Sequence, residues 1–515
     1  LLDIFGVKSS MSTEPETSAN YHIDFDPKGV GYYHAKDEKK MTPFTYRDIN
    51  YSCGMDNIVS KGQAKLLCVP VEFTDYPFYG GANSAYSSKA EMESDFNIAF
   101  NGEPEDTGYW ESLASFYKKT SYGKFDLTVD FCDIYKTNLT AEAFARADAP
   151  YRDETGNYVQ AAKVIQTLQT IVENLRSSKG DAFLKQYDND KDGWIDGIIM
   201  MYSCPDFKSD ASIRRLDATG NTFWAYAYWA ATEFGEADSP TANLFFWASH
   251  SFLHEAAKKP KVDCHTIIHE FGHMLGLDDY YPSGTSNWNA AGGLSMMDEN
   301  ILDHDMFSKT ALGWTEPLVV TGKQNVTWTI GPSETTGDCI IIPAGDCWNQ
   351  TAFSEYLILD LYTPVGLNEK DSTYQYSNRT LGYTIPGVRI HHVDARVAVY
   401  STYPTPTWSY YLKDSLANPQ RMSYQVAASN CYKGTGRCDD SFSLLSLIDA
   451  KNVKNFRRGD MADNDSLFQS GDTFTFQKYS TYFPNRDKWN DGSAATVSIV
   501  FQSVSATSAE ISFSF

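Results

Sequence analysis

The feature that most constrains this 515-residue chain is a stretch between residues 265 and 281 in which two histidines stand four residues apart. The stretch reads HTIIHEFGHMLGLDDYY, and at its centre His269, Glu270 and His273 form the pattern H-E-x-x-H. Residues i and i+4 of an α-helix lie on the same face, so this spacing turns both imidazoles to one side. The pattern therefore predicts a helix with two zinc-ligating histidines and with Glu270 as a base that is not itself a ligand.

The residues around the two histidines predict how this helix packs and where it ends. Gly276 predicts the end of the helix, because glycine readily adopts the left-handed conformation found there. Asp279 follows three residues later, and its carboxylate could complete a His-His-Asp set with the fourth zinc position open. The alternative is a buried helix with two structural histidines. The apolar residues expected to face the core are Ile267, Ile268, Phe271, Met274 and Leu275.

The segment HEFGHMLGLDD, residues 269–279, resembles the zinc motif of the immune inhibitor A-type secreted bacterial metallopeptidases, H-E-F-G-H-x-L-G-L-P-D. This resemblance implies zinc ligands at His269, His273 and Asp279 and a catalytic base at Glu270. The chain has Asp278 where the family has proline, so a second carboxylate competes for the ligand role. The family pattern favours Asp279.

Weaker similarities to the same family extend along the chain. Met297 resembles the methionine of a turn that lies under the zinc ion. His304 resembles the histidine of a family segment and is a candidate donor to the developing oxyanion; the alternative is a structural histidine, and Tyr280 is a second candidate donor. The resemblance implies a zincin-like domain over residues 61–315, in which the aromatic stretch 222–247 supplies an edge strand for the peptide substrate.

A second motif lies between residues 188 and 196, in the sequence DNDKDGWID. Carboxylates at loop positions 1, 3, 5 and 9 with a glycine at position 6 are typical of an oxygen-lined calcium loop. Position 12 is Ile199 rather than glutamate, so this is not a complete EF-hand. The alternative is an acidic turn capped by its own aspartates. The predicted calcium ligands are Asp188, Asp190, Asp192, the carbonyl of Trp194, and Asp196.

The two ends of the chain differ in pattern from its middle. From Glu316 onward, short alternating strands separated by Gly, Pro and Asn predict a β-sandwich over residues 316–515. Residues 1–60 have few aliphatic side chains and predict a poorly packed arm or the remnant of a propeptide. Cys53 in that arm is an ordinary cysteine or, in the alternative, a thiolate that caps the zinc ion. The predicted fold class is α+β.

Composition limits the partners and the compartment. A formal net charge of −23 argues against nucleic acid and anionic lipid, and no apolar run of membrane-spanning length occurs. We expect a monomer that is secreted or held at a bacterial cell surface. The numbering starts at Leu1 rather than Met, so we expect that the export signal is missing from the given sequence. Of the nine cysteines, Cys431 with Cys438 and Cys339 with Cys347 are predicted local disulfides if the protein is exported.

Together these patterns predict a zinc-dependent endopeptidase that acts on protein or peptide substrates, with calcium as a structural ion. Zinc would lower the pKa of a water molecule and polarise the peptide carbonyl, while Glu270 would take the water's proton. Two alternatives remain: a catalytically silent metallopeptidase-like protein, and a carbohydrate- or surface-binding protein that uses the C-terminal sandwich.

Overall fold

A computed structural model describes residues 45–47, 49, 55–152, 158–159, 161–217, 221–230, 235–283, 288–320, 325–345, 349–401, 407–410 and 425–515. The protein is a mixed α/β structure with several sheets, as predicted at the level of fold class. Its contacts divide it into two compact units. The N-terminal unit comprises Gly54–Lys119 and Gly123–Gly276. The C-terminal unit comprises Thr120–Tyr122 and Leu277–Phe515, together with the described residues between 45 and 49.

A six-stranded sheet organises the N-terminal unit. Its order is β2-β1-β7-β10-β8, with the short β3 also paired to β1. All pairs are parallel except β10 with β8, so β8 is an antiparallel edge strand. The strands up to residue 249 are β1 Gly62–Glu72, β2 Phe125–Phe131, β3 Tyr135–Lys136, β4 Tyr151–Arg152, β5 Tyr158–Val159, β6 Trp194–Ile195, β7 Ile198–Tyr202, β8 Tyr226–Trp229, β9 Thr241–Ala242 and β10 Leu244–Ser249.

Helices cover this sheet. The α-helices up to residue 274 are α1 Lys89–Asn101, α2 Pro104–Thr107, α3 Leu113–Thr120, α4 Ala141–Asp148, α5 Ala162–Lys179, α6 Asp181–Leu184, α7 Ile213–Leu216 and α8 His265–Met274, with 3-10 turns at Lys185–Tyr187 and His250–His254. Helices α4 and α5 share one apolar core with the sheet, to which Phe144, Leu168 and Trp247 belong. Helix α8 packs against β8 and β10. The sheet and its edge strand thereby hold the helix that bears the H-E-x-x-H pattern.

The C-terminal unit contains a five-stranded sheet of order β11-β13-β14-β15-β19, a four-stranded antiparallel sheet β12-β22-β21-β20 and a small sheet β17-β16-β18. Its strands are β11 Leu318–Val319, β12 Val326–Ile330, β13 Ile340–Pro343, β14 Glu355–Tyr362, β15 Gly387–Asp394, β16 Val397–Ser401, β17 Thr407–Tyr410, β18 Gln425–Val426, β19 Leu445–Leu447, β20 Thr473–Thr475, β21 Ser498–Val504 and β22 Ala509–Ser514. Its helices are α9 Met296–Glu299, α10 Met306–Ala311, α11 Ser333–Thr336 and α12 Glu369–Thr373, with 3-10 turns at Gly366–Asn368, Phe456–Arg458, Asn464–Ser466 and Ser480–Tyr482.

One apolar cluster in this unit draws side chains from both larger sheets. Leu357 and Val388 come from the five-stranded sheet, and Phe474, Ile499 and Ile511 come from the four-stranded sheet. Burying a large apolar side chain stabilises a fold by about 1.5–3 kcal/mol, so a shared cluster of this kind stabilises both sheets together.

Three sequence expectations bear on this architecture. The compact units divide between Gly276 and Leu277, whereas the predicted domain boundary lies between 315 and 316. A compact unit need not fold alone, so the predicted domains remain predictions. Cys53 and most of the predicted arm lie outside the described residues. Within the described ranges, no helix has both the length and the apolar character needed to cross a bilayer.

The predicted disulfide between Cys431 and Cys438 is wrong, because both cysteines are free thiols. Cys339 is likewise a free thiol, and its predicted partner Cys347 lies outside the described residues.

Candidate metal centre

Helix α8 carries His269 and His273 and ends where its sequence predicts. Gly276 has a φ of 100°, in the left-handed region that favours glycine. The last carbonyl of the helix is satisfied from the segment before β1: the Asn57 side chain donates to Met274 O at 3.2 Å, and the Ile58 amide donates to the same oxygen at 3.0 Å. These bonds fix the C-terminal turn of α8, whose carbonyls have no partner within the helix.

This capping segment corrects the prediction of a poorly packed arm for its last residues. Asp56, Asn57 and Ile58 are only 2%, 1% and 1% exposed. The indole of Trp229, on the edge strand β8, also donates to the carbonyl of Asp56. The prediction failed because it rested on a low aliphatic content, and this segment is fixed mainly by hydrogen bonds.

The apolar side of α8 is buried as predicted. The Tyr117 hydroxyl donates to Ile268 O at 2.7 Å, and the Phe271 ring packs against the rings of Tyr117 and Phe125 at 4.6 and 6.2 Å. These contacts fix the rotation of the helix about its axis. The rings of His269 and His273 then lie 5.0 Å apart at nearly a right angle.

His269, His273 and Asp279 each offer one ligand atom, and these three atoms lie within 4.8 Å of one another. Around a tetrahedral zinc ion with bonds of about 2.1 Å, ligand atoms are about 3.4 Å apart. Two imidazoles and one carboxylate at these separations fit a zinc ion with small adjustments of the side chains. Glu270 lies between the two histidines in sequence, is buried, and is not one of the three.

Asp278, the competing carboxylate, has other partners. The Ser429 hydroxyl donates to its Oδ2 at 2.7 Å, and the Asp279 amide donates to its Oδ1 at 3.1 Å. Asp279, which the resemblance favours, thus lies with the two histidines, and Asp278 is outside this group. The ligand role of Asp279 itself remains a prediction.

Three consecutive residues, Ser429–Asn430–Cys431, hold the segment that contains Asp279; we call them the clamp loop. Besides the Ser429 bond to Asp278, the Asn430 amide donates to Tyr280 O at 3.1 Å, and the Cys431 thiol donates to Asp279 Oδ2 with an S···O distance of 3.8 Å. Burial, followed by the charges of Asp279 and Asp278, raises the pKa of the Cys431 thiol, which keeps it protonated as a donor. Sequence analysis missed this loop as a partner of the site.

Asn430 also ties the clamp loop to the five-stranded sheet. Its amide donates to Leu445 O at 2.8 Å, and its carbonyl oxygen accepts from the Leu445 amide at 3.2 Å. Leu445 begins β19. The position of the Asp279 segment is therefore set by a strand more than 150 residues further along the chain.

Met297 lies beside the same segment. It is fully buried in α9, and its carbonyl accepts from the Tyr280 amide at 2.9 Å. The methionine turn itself remains a prediction, in which Met297 offers only packing. The Tyr280 hydroxyl is buried and hydrogen-bonded to Ser308 Oγ at 2.7 Å, so it is already engaged within the core.

His304 is buried at the approach to α10, with its ring 6.1 Å from that of Trp314. Its proposed role as an oxyanion donor remains a prediction.

The acidic loop at residues 188–196 forms a second group of oxygen ligands. Side-chain oxygens of Asp188, Asp190 and Asp196 lie within 4.8 Å of one another. Calcium–oxygen bonds of about 2.4 Å allow two ligands of one ion to stand up to about 4.8 Å apart, so the three carboxylates fit calcium. Asp192 is outside this group and accepts from the Trp194 amide at 2.8 Å, and the carbonyl of Trp194 remains a predicted ligand.

The loop also caps itself, as the alternative expectation stated. The amides of Asp192 and Gly193 donate to the Asp188 carboxylate at 3.1 and 3.2 Å, and the Asn189 amide donates to Asp196 at 3.0 Å. Burial raises the pKa of Asp196 to about 7, and burial also raises the pKa of Asp188. Backbone donors therefore satisfy these carboxylates only in part.

In comparisons with known proteins, no family model matches this chain, and no curated protein matches it in sequence.

Proposed function

We propose that this protein is a zinc-dependent endopeptidase with a zincin-like catalytic domain. The observation that carries the proposal is the convergence of His269, His273 and Asp279 from one continuous stretch of chain, with Glu270 on the same helix. Two imidazoles and one carboxylate are a common ligand set of catalytic zinc sites, which keep one position open.

Glu270 provides the acid–base chemistry in this proposal. A zinc ion held by the three ligands supplies Lewis acidity to the scissile peptide bond and to the attacking water. The Glu270 carboxylate accepts the proton of that water as it attacks the carbonyl carbon. It then donates the proton to the amine that leaves.

The edge strand β8 is the proposed binding surface for the substrate backbone. It pairs with β10 on one side, and it packs against α8, which bears the histidines. An extended peptide can add to such an edge through main-chain hydrogen bonds. Side chains alternate between the two faces of this strand, and Tyr228 is 38% exposed, so its ring is available beside a peptide bound at the edge.

Two further proposals concern structural parts. The two larger sheets of the C-terminal unit form a β-sandwich, supported by the apolar cluster that they share. The group Asp188, Asp190 and Asp196 binds calcium, supported by the separation of its oxygens and by the glycine at the sixth position of the loop.

Metal analysis combined with hydrolysis of an unfolded protein substrate tests the proposed function. We expect one zinc ion per chain at this centre and cleavage that a zinc chelator abolishes. Glu270→Gln should bind zinc normally but lose turnover by about 10²-fold or more, since it removes the general base. His273→Ala should lose both zinc and turnover.

The matched control is Glu173→Gln, an exposed helical glutamate on α5 that should retain full activity. Full activity of Glu270→Gln would rule out this mechanism. Zinc binding without cleavage by the unaltered protein would favour a catalytically silent binding protein.

A further inference from the structure

A cavity in the C-terminal unit has two cationic side chains in its wall and no carboxylate among its described lining residues. It measures about 230 Å³, which is the size of one amino-acid side chain or a small acid. Strand β19 contributes Ser446 and Leu447, and the turn around Phe456 contributes Lys454 and Arg457. In a chain with a net charge of −23, a cavity lined in this way is a local exception.

The two cations in the wall differ in their partners. The Lys454 ammonium is paired with Asp463 at 2.6 Å, so a carboxylate already offsets its charge. Among the residues that the structure describes, Arg457 forms no ion pair. Its guanidinium is therefore available to an anionic ligand from the wall of the cavity, and a guanidinium can hold a carboxylate through two parallel hydrogen bonds.

The rest of the wall suits a ligand with a short apolar body. Leu447 and Phe456 are buried, and the rings of Phe456 and Tyr482 are 6.2 Å apart. The Tyr482 hydroxyl donates to Lys454 O at 2.8 Å, which fixes its ring as part of the wall. One cationic donor beside an apolar wall is the arrangement of a site that orients a small ligand through a single charged group.

We propose that this cavity is a carboxylate-binding site in which Arg457 holds the acid group while Leu447, Phe456 and Tyr482 contact the body of the ligand. The carboxylate comes from the side chain of a bound peptide or from a free small organic acid. None of the residues that line the cavity belongs to the group of His269, His273 and Asp279, so this proposal does not depend on peptidase activity.

Saturation-transfer NMR on the full chain, treated with chelator to prevent hydrolysis, tests the proposal. The probes are N-acetylglutamate amide, its neutral glutamine counterpart, and glutarate. We expect the glutamate probe to bind at least about 10-fold more tightly than the glutamine probe. This is the ratio of dissociation constants expected when one charge-assisted hydrogen bond is lost. Tighter binding of the glutamate probe than of glutarate would indicate a peptide ligand, and the reverse would indicate a free acid.

Two variants make the result specific to the cavity. Arg457→Gln should abolish the preference for the glutamate probe. Arg458→Gln, which alters the next residue of the same 3-10 turn but not the cavity wall, should keep it. Equal binding of the glutamate and glutamine probes, no detectable binding of any probe, or equal losses in the two variants would overturn the proposal.

Discussion

At the scale of single residues, the clamp loop predicts an effect on metal affinity. Cys431→Ala removes the donor to Asp279 Oδ2. We expect zinc to bind about 10- to 100-fold more weakly, as is common when an outer hydrogen bond to a metal ligand is lost. Competition against a zinc-chelating dye measures the dissociation constant without any need for activity.

Two companion variants separate positioning of the ligand from general damage. Cys431→Ser keeps a donor and should recover part of the affinity. Cys438→Ala alters the other free thiol of the same region, whose contact is with Asp440, and should bind zinc normally. Unchanged affinity in Cys431→Ala would show that the thiol does not position Asp279.

A buried ion pair gives a prediction about stability. The Lys309 ammonium and the Asp303 carboxylate are 2.5 Å apart and almost fully buried, and Thr120 also donates to Asp303. Lys309→Met leaves the Asp303 charge without its cation, which we expect to lower the free energy of unfolding by about 3–5 kcal/mol. Urea unfolding measures the change, with exposed Lys488→Met as the control. A loss below about 1 kcal/mol would mean that Asp303 is protonated or hydrated in the variant.

At the residue level, the sequence indicates which side chains come together only where those side chains are close in the chain. His269, His273 and Asp279 lie within eleven positions, so helical periodicity and one turn bring them together. Ser429 and Cys431 act on Asp278 and Asp279 from about 150 residues away. No local pattern encodes that contact, because it depends on how β19 fixes the loop.

At the scale of structural elements, the calcium loop requires glycine at one position for two reasons. Gly193 has a φ of 92°, and a Cβ atom there would lie only 2.1 Å from the carbonyl oxygen of Gly235. We expect Gly193→Ala to displace the loop and to weaken calcium binding at least about 10-fold, because a strained loop cannot keep its carboxylate oxygens at coordinating distances from the ion. Calorimetric titration with calcium measures the effect.

Gly492→Ala is the matched control for this loop. Gly492 has a similar φ of 88° but nothing within 4 Å of the added Cβ, so it tests backbone strain without the clash. It should lower stability slightly and leave calcium affinity unchanged. Equal calcium affinity in Gly193→Ala and the unaltered protein would contradict the proposed calcium site.

Element prediction succeeded for strongly periodic segments. Strands β12, β14 and β15 lie in the region from Glu316 onward where short alternating strands were expected, because a period of 2 is a local property. The sequence could not predict that Asn57 and Ile58 cap the end of α8. That cap joins residues more than 200 positions apart, and a short polar segment has no periodicity.

At the scale of the whole molecule, composition and pattern indicated a helix- and strand-containing N-terminal part followed by a strand-rich C-terminal part. The strand order β2-β1-β7-β10-β8 could not be predicted from the sequence. Parallel strands are joined by long crossovers, so their order depends on tertiary packing rather than on local sequence. The aromatic stretch 222–247 was nevertheless correctly expected to supply an edge strand, which is β8.

The balance of buried ionisable groups predicts how the stability of the whole molecule depends on pH. Burial raises the pKa of Asp298 to about 8, and its Oδ1 has no hydrogen-bond partner among the described residues. Burial lowers the pKa values of His250 and His391 to about 3. An unfolded aspartate titrates near 3.9 and an unfolded histidine near 6.5.

The shifts of the two histidines act against the shift of Asp298 below about pH 6.5, and above that pH they no longer oppose it. Folded Asp298 keeps its proton up to about pH 8, while the unfolded chain has lost it, so rising pH favours unfolding throughout that interval. The two histidines are neutral in the folded state and become protonated in the unfolded chain only as pH falls below about 6.5, so they oppose this trend only there. Between pH 6.5 and 8 we therefore expect the proton held by folded Asp298 to contribute a fall of up to about 1.4 kcal/mol per pH unit to the free energy of unfolding. Urea unfolding in the presence of chelator should show a decline whose slope is smaller by up to that amount in Asp298→Asn, whereas the exposed control Asp487→Asn should keep the full slope. An equal slope in Asp298→Asn and the unaltered protein would mean that Asp298 is ionised in the folded state.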